Sequence, residues 1–385
     1  MSFVESAERR ALRAAVAELA SRYGRQYVRK QVRRGEHLDE LWDEAGKHGF
    51  LGVNLPQHYG GGGGGLYDLS LVLEELGAAG SALLMMVVSP AICGTIIARF
   101  GTDDQKEHWL PGIADGSTII AFAITEADAG SNSHKITTTA RRDGSGWIIS
   151  GRKVFISGVD EANAVLVVGR TEDARTGRLK PALFMVPTDA TGFEYRPIEM
   201  DVSLPDKQFM LFLDDVRLPA SALVGAEDAA LMQLFAGLNP ERIMAAASSI
   251  GMGRYALSRA VEYVKGREVW GQPIGAHQGL AHPLAQIKIE LELAKLMMQK
   301  AATLYDDGDD LGAGEAANMA KYAAAEAATR TVDQAIQSHG GNGLASEYGL
   351  GTLLAASRVG RIAPVSREMI LNFVAQNTLG MPRSY

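Results

Sequence analysis

Apolar positions repeat at helical spacing in the first and last thirds of the chain and crowd into short extended runs in the middle. Leu12, Val16 and Leu19 fall on one helical face, and Leu38, Leu41, Trp42 and Ala45 repeat the pattern. Leu66–Ala79 and Ala82–Phe100 read as buried helices. Ahead of them stands a run of six glycines, Gly60–Gly65, which predicts a mobile surface loop. Gly101 and Pro111-Gly112 punctuate the end of the region.

From about residue 119 the period changes. Ile119, Ile120, Phe122 and Ile124 predict a strand that breaks into the polar turn Thr125–Ser131. A strand that ends in small residues, a hydroxyl and a glycine can bring backbone close to a flat ligand. Ile136–Ala140, Trp147–Ile149, Val165–Val168, Ala182–Val186 and Phe209–Leu213 predict further strands, with Asp143–Gly146 as a turn. Short strands with frequent turns suggest a barrel-like unit. After about residue 227, Ile243, Ala246, Ala247, Ile250, Leu257, Val261 and Val264 trace one helical stripe. Leu280–Tyr305 and Glu315–Ser338 predict two more long helices, the second closed by Gly340-Gly341, and Ser366–Val374 a shorter one. The fold class is therefore α+β: an all-α N-terminal domain (1–118), a β-barrel-like middle domain (119–226) and a C-terminal four-helix bundle (227–385).

Composition narrows the chemistry. A formal net charge of -7 argues against a nucleic-acid surface. The lone Cys93, in an apolar segment, reads as a packing residue; it excludes an internal disulfide and a Cys-rich metal site, and suits a reducing, cytoplasmic setting. His277, His282 and His339 lack metal-ligand spacing, so no metal is expected. The longest apolar run, Ala82–Val88, is too short for a membrane span. The N-terminal stretch mixes Arg with Glu5, Glu8 and Glu18 and reads as an amphipathic helix rather than a targeting peptide.

Five motifs, in order, resemble the acyl-CoA dehydrogenase family. They are Phe122–Ser131; Gly151-Arg152-Lys153-Val154-Phe155-Ile156-Ser157-Gly158; Phe212-Leu213-Asp214-Asp215-Val216-Arg217-Leu218-Pro219; Arg267-Glu268-Val269-Trp270-Gly271 with His277-Gln278; and Gln337-Ser338-His339-Gly340-Gly341-Asn342-Gly343. The resemblance covers nearly the whole chain and implies FAD as cofactor. Phe122, Ile124 and Thr125 would face the polar edge of the flavin, and Gly130 and Ser131 the pyrophosphate or the thioester ligand. Phe155 would lie against the ring, with Ser157 as a polar contact; the family more often has Trp and Thr there. Arg267 resembles the arginine that reaches the FAD pyrophosphate of a neighbouring subunit, where its charge and fork suit a diphosphate. Trp270 and Gln278 would accompany it, and Gln337, Gly340 and Gly341 would hold the adenosine portion across the same interface. On residue type alone, Arg267 also suits a solvated helix end.

The family's reaction needs a carboxylate base in a dry pocket. At its commonest position this chain has Arg367, which cannot serve. The second position, resembling the isovaleryl-CoA and long-chain members, falls on Glu241 in Leu238-Asn239-Pro240-Glu241-Arg242. Glu241 is the candidate base and Glu368 the alternative, with Asn239 and Arg242 resembling residues that contact the CoA portion. Read as a helix start, the same segment makes Asn239 an N-cap and Pro240 the first helical residue, so that the helix dipole would lower the pKa of Glu241. Glu126 and Asp128 read as loop residues. The resemblance implies conversion of an acyl-CoA to the trans-2-enoyl-CoA, electron transfer to an electron-transferring flavoprotein, and a homotetramer or homodimer. An acyl-CoA oxidase or flavin monooxygenase on the same fold, and a non-catalytic acyl-CoA-binding relative, are the alternatives.

Overall fold

The computed structural model describes residues 4–173, 176–227 and 230–383. Residues 1–3, 174–175, 228–229 and 384–385 of the three expected segments lie outside it. The N-terminal part holds α1 (Ala7–Ser21), α2 (Gly24–Arg34), α3 (Asp39–Lys47), α4 (Leu66–Ala78), α5 (Thr95–Phe100) and α6 (Asp103–Asp115). Ser6 caps α1 by accepting from Arg9 N–H. The expected helix Ala82–Phe100 is divided: Val87–Gly94 forms a π-helical segment around Pro90, which has no N–H to give, and α5 follows. Pro111 does not interrupt α6, which ends at the left-handed Gly116.

The glycine run is not a loose surface loop. Gly62, Gly63 and Gly64 N–H groups donate to the carbonyls of Gly52, Leu55 and Val53, each at 2.9 Å. A Cβ on Gly61 would lie 2.2 Å from Leu55 O, so only glycine allows this approach. Gly65 leads into α4, whose first N–H groups are met from another helix. Asp306 accepts from Leu66 N–H at 2.7 Å and from Tyr67 N–H at 3.0 Å.

The middle part is one eight-stranded sheet: β1 (Ile120–Ala123), β2 (Thr139–Asp143), β3 (Gly146–Ser157), β4 (Ala164–Glu172), β5 (Leu179–Pro187), β6 (Phe193–Ile198), β7 (Gln208–Leu218) and β8 (Leu223–Val224). Its order is β6-β7-β3-β2-β4-β5-β8, with β1 parallel to β4. Alternate residues Ala121, Trp147, Val165, Phe184 and Leu211 meet in a core of their own. The opposite faces of β1, β4 and β5 carry Phe122, Leu166 and Met185 into the helical core. Burial on both sides explains why these strands read as unbroken apolar runs.

The C-terminal part contains α7 (Ala230–Gly266), a small hairpin of β9 (Glu268–Val269) and β10 (Gln272–Pro273), α8 (Gln278–Asp306), α9 (Asp310–His339), α10 (Gly341–Leu344), α11 (Gly351–Ile362) and α12 (Arg367–Phe373). Helices α7, α8, α9 and α11 form the bundle, and α4 lies across α7 and α8. An ionic knot fastens that crossing. The buried Glu74 of α4 pairs with Arg13 at 2.8 Å, Arg254 at 2.6 Å and Lys295 at 3.2 Å. Burial would raise the pKa of Glu74, but the three cations hold it below the ordinary carboxylate value.

Asp306→Ala should lower stability by about 1–3 kcal/mol, because two N–H groups at the start of α4 lose their acceptor. Denaturant unfolding measures this; an unchanged midpoint would show that α4 docks without it.

Candidate active site

β1 ends at Ala123 and the chain leaves the sheet, held from beneath by a buried ion pair. The Lys153 ammonium of β3 donates to Ile124 O at 3.0 Å and to Glu126 Oε1 at 2.9 Å. Glu126 also accepts from Thr137 N–H (2.6 Å) and hydroxyl (2.8 Å), and from Thr138 N–H (2.9 Å) and hydroxyl (2.6 Å). These bonds take up the N–H groups of Thr137 and Thr138, while Thr138 O still accepts from Arg170 N–H at 2.9 Å, and β2 begins at Thr139 rather than at Ile136. Burial opposes the charge on Glu126, but the donors outweigh it and bring its pKa down to about 2. Burial brings Lys153 down to about 8, against the pull of Glu126. Glu126 lies in the loop after β1, as expected, and the structure adds that it is a buried anchor there. The available signal was a lysine, Lys153, directly before the apolar strand segment Val154–Ile156.

Above this anchor, Val154 N–H donates to Thr125 O at 3.0 Å and joins the two expected flavin segments. Among the described residues, the Thr125 N–H and hydroxyl have no partner and stand half-buried at this edge. Phe155 sits where the β3–β7 register slips, at φ 57° and 56% exposed. A positive φ is unusual for a bulky residue, and here it turns the ring out of the strand. The Ser157 hydroxyl is engaged by Gln208 Nε2 at 2.9 Å. Phe122 is buried, Ile124 half-buried, and Gly130 and Ser131 lie exposed beyond the Glu126–Ala129 turn.

A second group gathers at one end of the bundle. Trp270, 88% exposed and at φ 52°, tops the β9–β10 hairpin, with Arg267 before it and Gln278 opening α8; both are exposed. Gln337, Gly340 and Gly341 are exposed at the end of α9. Tyr263 of α7 stacks on His339 at 4.2 Å and meets Asn342 Nδ2 at 3.0 Å, so the two helix ends are tied together. Among the described residues, no hydrogen bond, ion pair or ring contact joins this group to 122–131 or 155–157 of the same chain.

Glu241 is not in a first turn. α7 begins at Ala230 and carries Pro240 within it, so the expected N-cap at Asn239 and the dipole effect on Glu241 are both overturned. The apolar residues Leu234 and Ala236, buried ahead of Asn239, extend the helix backwards. Asn239 is buried and donates to Asp310 O at 3.2 Å. Arg242 Nη1 donates to Leu238 O at 2.8 Å, while its buried Nε has no partner. Glu241 is half-buried and, among the described residues, makes no hydrogen bond. Burial pushes its pKa up to about 7, against Arg242 and Lys321. Buried Lys321 donates to Val365 O at 2.5 Å, just before α12. There the Ser366 side chain caps the helix by accepting from Met369 N–H, and Arg367 pairs with Glu326 at 3.3 Å. Glu368 is 70% exposed, 3.4 Å from Arg367.

The acyl-CoA dehydrogenase N-terminal, middle and C-terminal domain models match residues 6–117, 121–216 and 232–379. The acyl-CoA dehydrogenase FadE12 of Mycobacterium tuberculosis (strain ATCC 25618 / H37Rv) is 73% identical over 384 residues, spanning 100% of this chain and 99% of its own. The chain belongs to the acyl-CoA dehydrogenase family. The long-chain specific acyl-CoA dehydrogenase of Sus scrofa is 33% identical, over 89% of this chain and 80% of its own. A glutaryl-CoA dehydrogenase from Mycobacterium smegmatis, solved with FADH2, superposes with a TM-score of 0.89 at 27% identity, over 99% of this chain and 97% of that one. This acyl-CoA dehydrogenase is therefore an oxidoreductase whose cofactor is FAD. The free Thr125 donors beside an outturned aromatic fit the edge and face of a flavin.

Glu126→Gln should cost about 3–5 kcal/mol, since it leaves the Lys153 ammonium buried without a counter-charge. Because the pKa of Glu126 is depressed, its stabilising effect is present above the ordinary carboxylate value and is lost as pH falls towards about 2. Acid unfolding of the wild type and of the variant measures both effects; matching curves would remove the anchor role.

Proposed function

We propose that Glu241 removes the α proton of an acyl-CoA, giving the trans-2-enoyl-CoA. The observation that supports this reading is a half-buried carboxylate without a hydrogen-bond partner, its pKa near 7, on α7. A base works best when its pKa lies near the operating pH and nothing else holds its lone pairs. At the commoner family position stands Arg367, and the neighbouring Glu368 faces water.

Bound FAD supplies the acceptor for the β hydride. Thr125 with Phe122 and Ile124, and Phe155 with Ser157, would hold its reactive part; Gly130 and Ser131 would approach phosphate or pantetheine. Arg267, Trp270, Gln278, Gln337, Gly340 and Gly341 would hold the adenosine end of a neighbouring subunit's cofactor. Their exposure at the end of the bundle suits a shared site. A backbone N–H at Arg367 is the candidate donor to the thioester oxygen as negative charge develops there. Asn239 and Arg242 would contact the CoA portion.

The three-domain division at 1–118, 119–226 and 227–385, a homotetramer or homodimer, transfer of electrons to an electron-transferring flavoprotein and a cytoplasmic location complete the reading. The oligomer is supported by Ile289 and Leu293, each 61% exposed, which with Leu296 form an apolar stripe on α8. Among the described residues no helix is long and apolar enough to cross a membrane.

Anaerobic flavin bleaching by butyryl-, isovaleryl- and palmitoyl-CoA tests the reading. Glu241→Gln should slow reduction by at least 10³-fold, whereas Glu368→Gln should leave it near wild type. The wild-type rate should rise with pH and level off above about 7, because only ionised Glu241 accepts the proton. Normal reduction of Glu241→Gln would remove it as base. Fast reoxidation by air with peroxide release would replace the flavoprotein acceptor with oxygen.

A further inference from the structure

Pro240 sits inside α7 and has no N–H, so Ala236 O, four residues earlier, loses its usual helical donor. Ala236 is buried, and a buried carbonyl needs a partner. One is supplied from α8: the Tyr305 hydroxyl donates to Ala236 O at 2.6 Å. Arg99 of α5 donates to the Tyr305 oxygen at 2.9 Å, which leaves the hydroxyl hydrogen free to point at Ala236. Arg99 is held in turn by both carboxylate oxygens of Asp310, at 3.1 and 2.8 Å. Asn239 binds the backbone of that same Asp310. Three elements, α5, α8 and the start of α9, thus converge on the turn of α7 that precedes Glu241.

We propose that Tyr305, backed by Arg99, is a positioning residue for Glu241, its hydroxyl standing in for the amide that Pro240 lacks and fixing the turn from which the carboxylate is presented. The inference rests on Glu241 being the base. Proline in the helix has a use in this arrangement. It exposes a carbonyl that a side chain from the neighbouring helix can grip, so the register of α7 against α8 is set beside the reacting group. Without the hydroxyl, Ala236 O must take a water or shift the turn, and either change loosens the dry surroundings of Glu241. Arg242, Lys321 and Cys93, the other titratable groups around Glu241, are left unaltered by the test.

The test compares Tyr305→Phe, the double variant Pro240→Ala/Tyr305→Phe and Glu241→Gln as FAD-loaded proteins. Flavin reduction is followed against pH with butyryl-, isovaleryl- and palmitoyl-CoA. Amide hydrogen exchange over residues 236–242 is measured without substrate. Tyr305→Phe is expected to slow reduction about tenfold, with thioester affinity unchanged, to move the pH midpoint down, and to speed exchange in that segment. The double variant, whose new Ala N–H can reach Ala236 O, is expected to recover rate, midpoint and exchange protection. A Tyr305→Phe protein with wild-type rate, midpoint and exchange, beside an inactive Glu241→Gln, overturns the positioning role and leaves the base assignment standing. So does a Tyr305→Phe defect that Pro240→Ala does not relieve. Normal reduction by Glu241→Gln overturns both.

Discussion

A carboxylate and an ammonium that water barely reaches must satisfy one another, and the loop after β1 is arranged around that demand. Glu126 has room for several donors, and the two threonines and Lys153 supply five hydrogen bonds to it. Lys153 spends another donor on Ile124 O. The loop after β1 is therefore bound to β3 and to the lead-in of β2 at once. The backbone around Thr125 inherits its position from the buried Lys153 and Glu126 beneath it. Buried pairs of this kind add little net stability compared with apolar packing, but breaking one side is costly, which makes them good at enforcing a single geometry.

A similar economy appears on α7. Its helical stripe was legible from Ile243 onward, because alternation at 3.6 residues survives in any environment. Its true start was not. Asn239-Pro240-Glu241 carries every local mark of a helix beginning, and those marks lost to tertiary packing. The preceding turns bury Leu234 and Ala236, and the carbonyl that Pro240 orphans finds a tyrosine from a helix more than sixty residues away in sequence. Local propensity cannot anticipate a donor supplied from so far off.

The same contrast runs through the rest of the chain. The three-part α, β, α order and most strands followed from periodicity, and β1, β4 and β5 were plain because both their faces are buried. β6 was missed: Glu194, Tyr195 and Arg196 face outward, and little apolar signal remains in Phe193–Ile198. The candidate cofactor residues came from motif resemblance rather than from pattern. The burial of Glu126 was not legible because its neighbours in sequence, Ala127 and Asp128, are exposed loop residues, while its partners lie 11, 12 and 27 positions away.

The glycine run bears on how this chain tolerates change in length. A stretch of six glycines looks like the natural place to splice in a tag or lengthen a loop. Here its backbone is laid against Gly52–Leu55 and delivers the first turn of α4 to an aspartate at the end of α8. Adding residues there would offset two helices that belong to different parts of the molecule. The segment works as a spacer of fixed length between the N-terminal helices and the bundle, and substitution and insertion would both be felt at the α4–α8 joint.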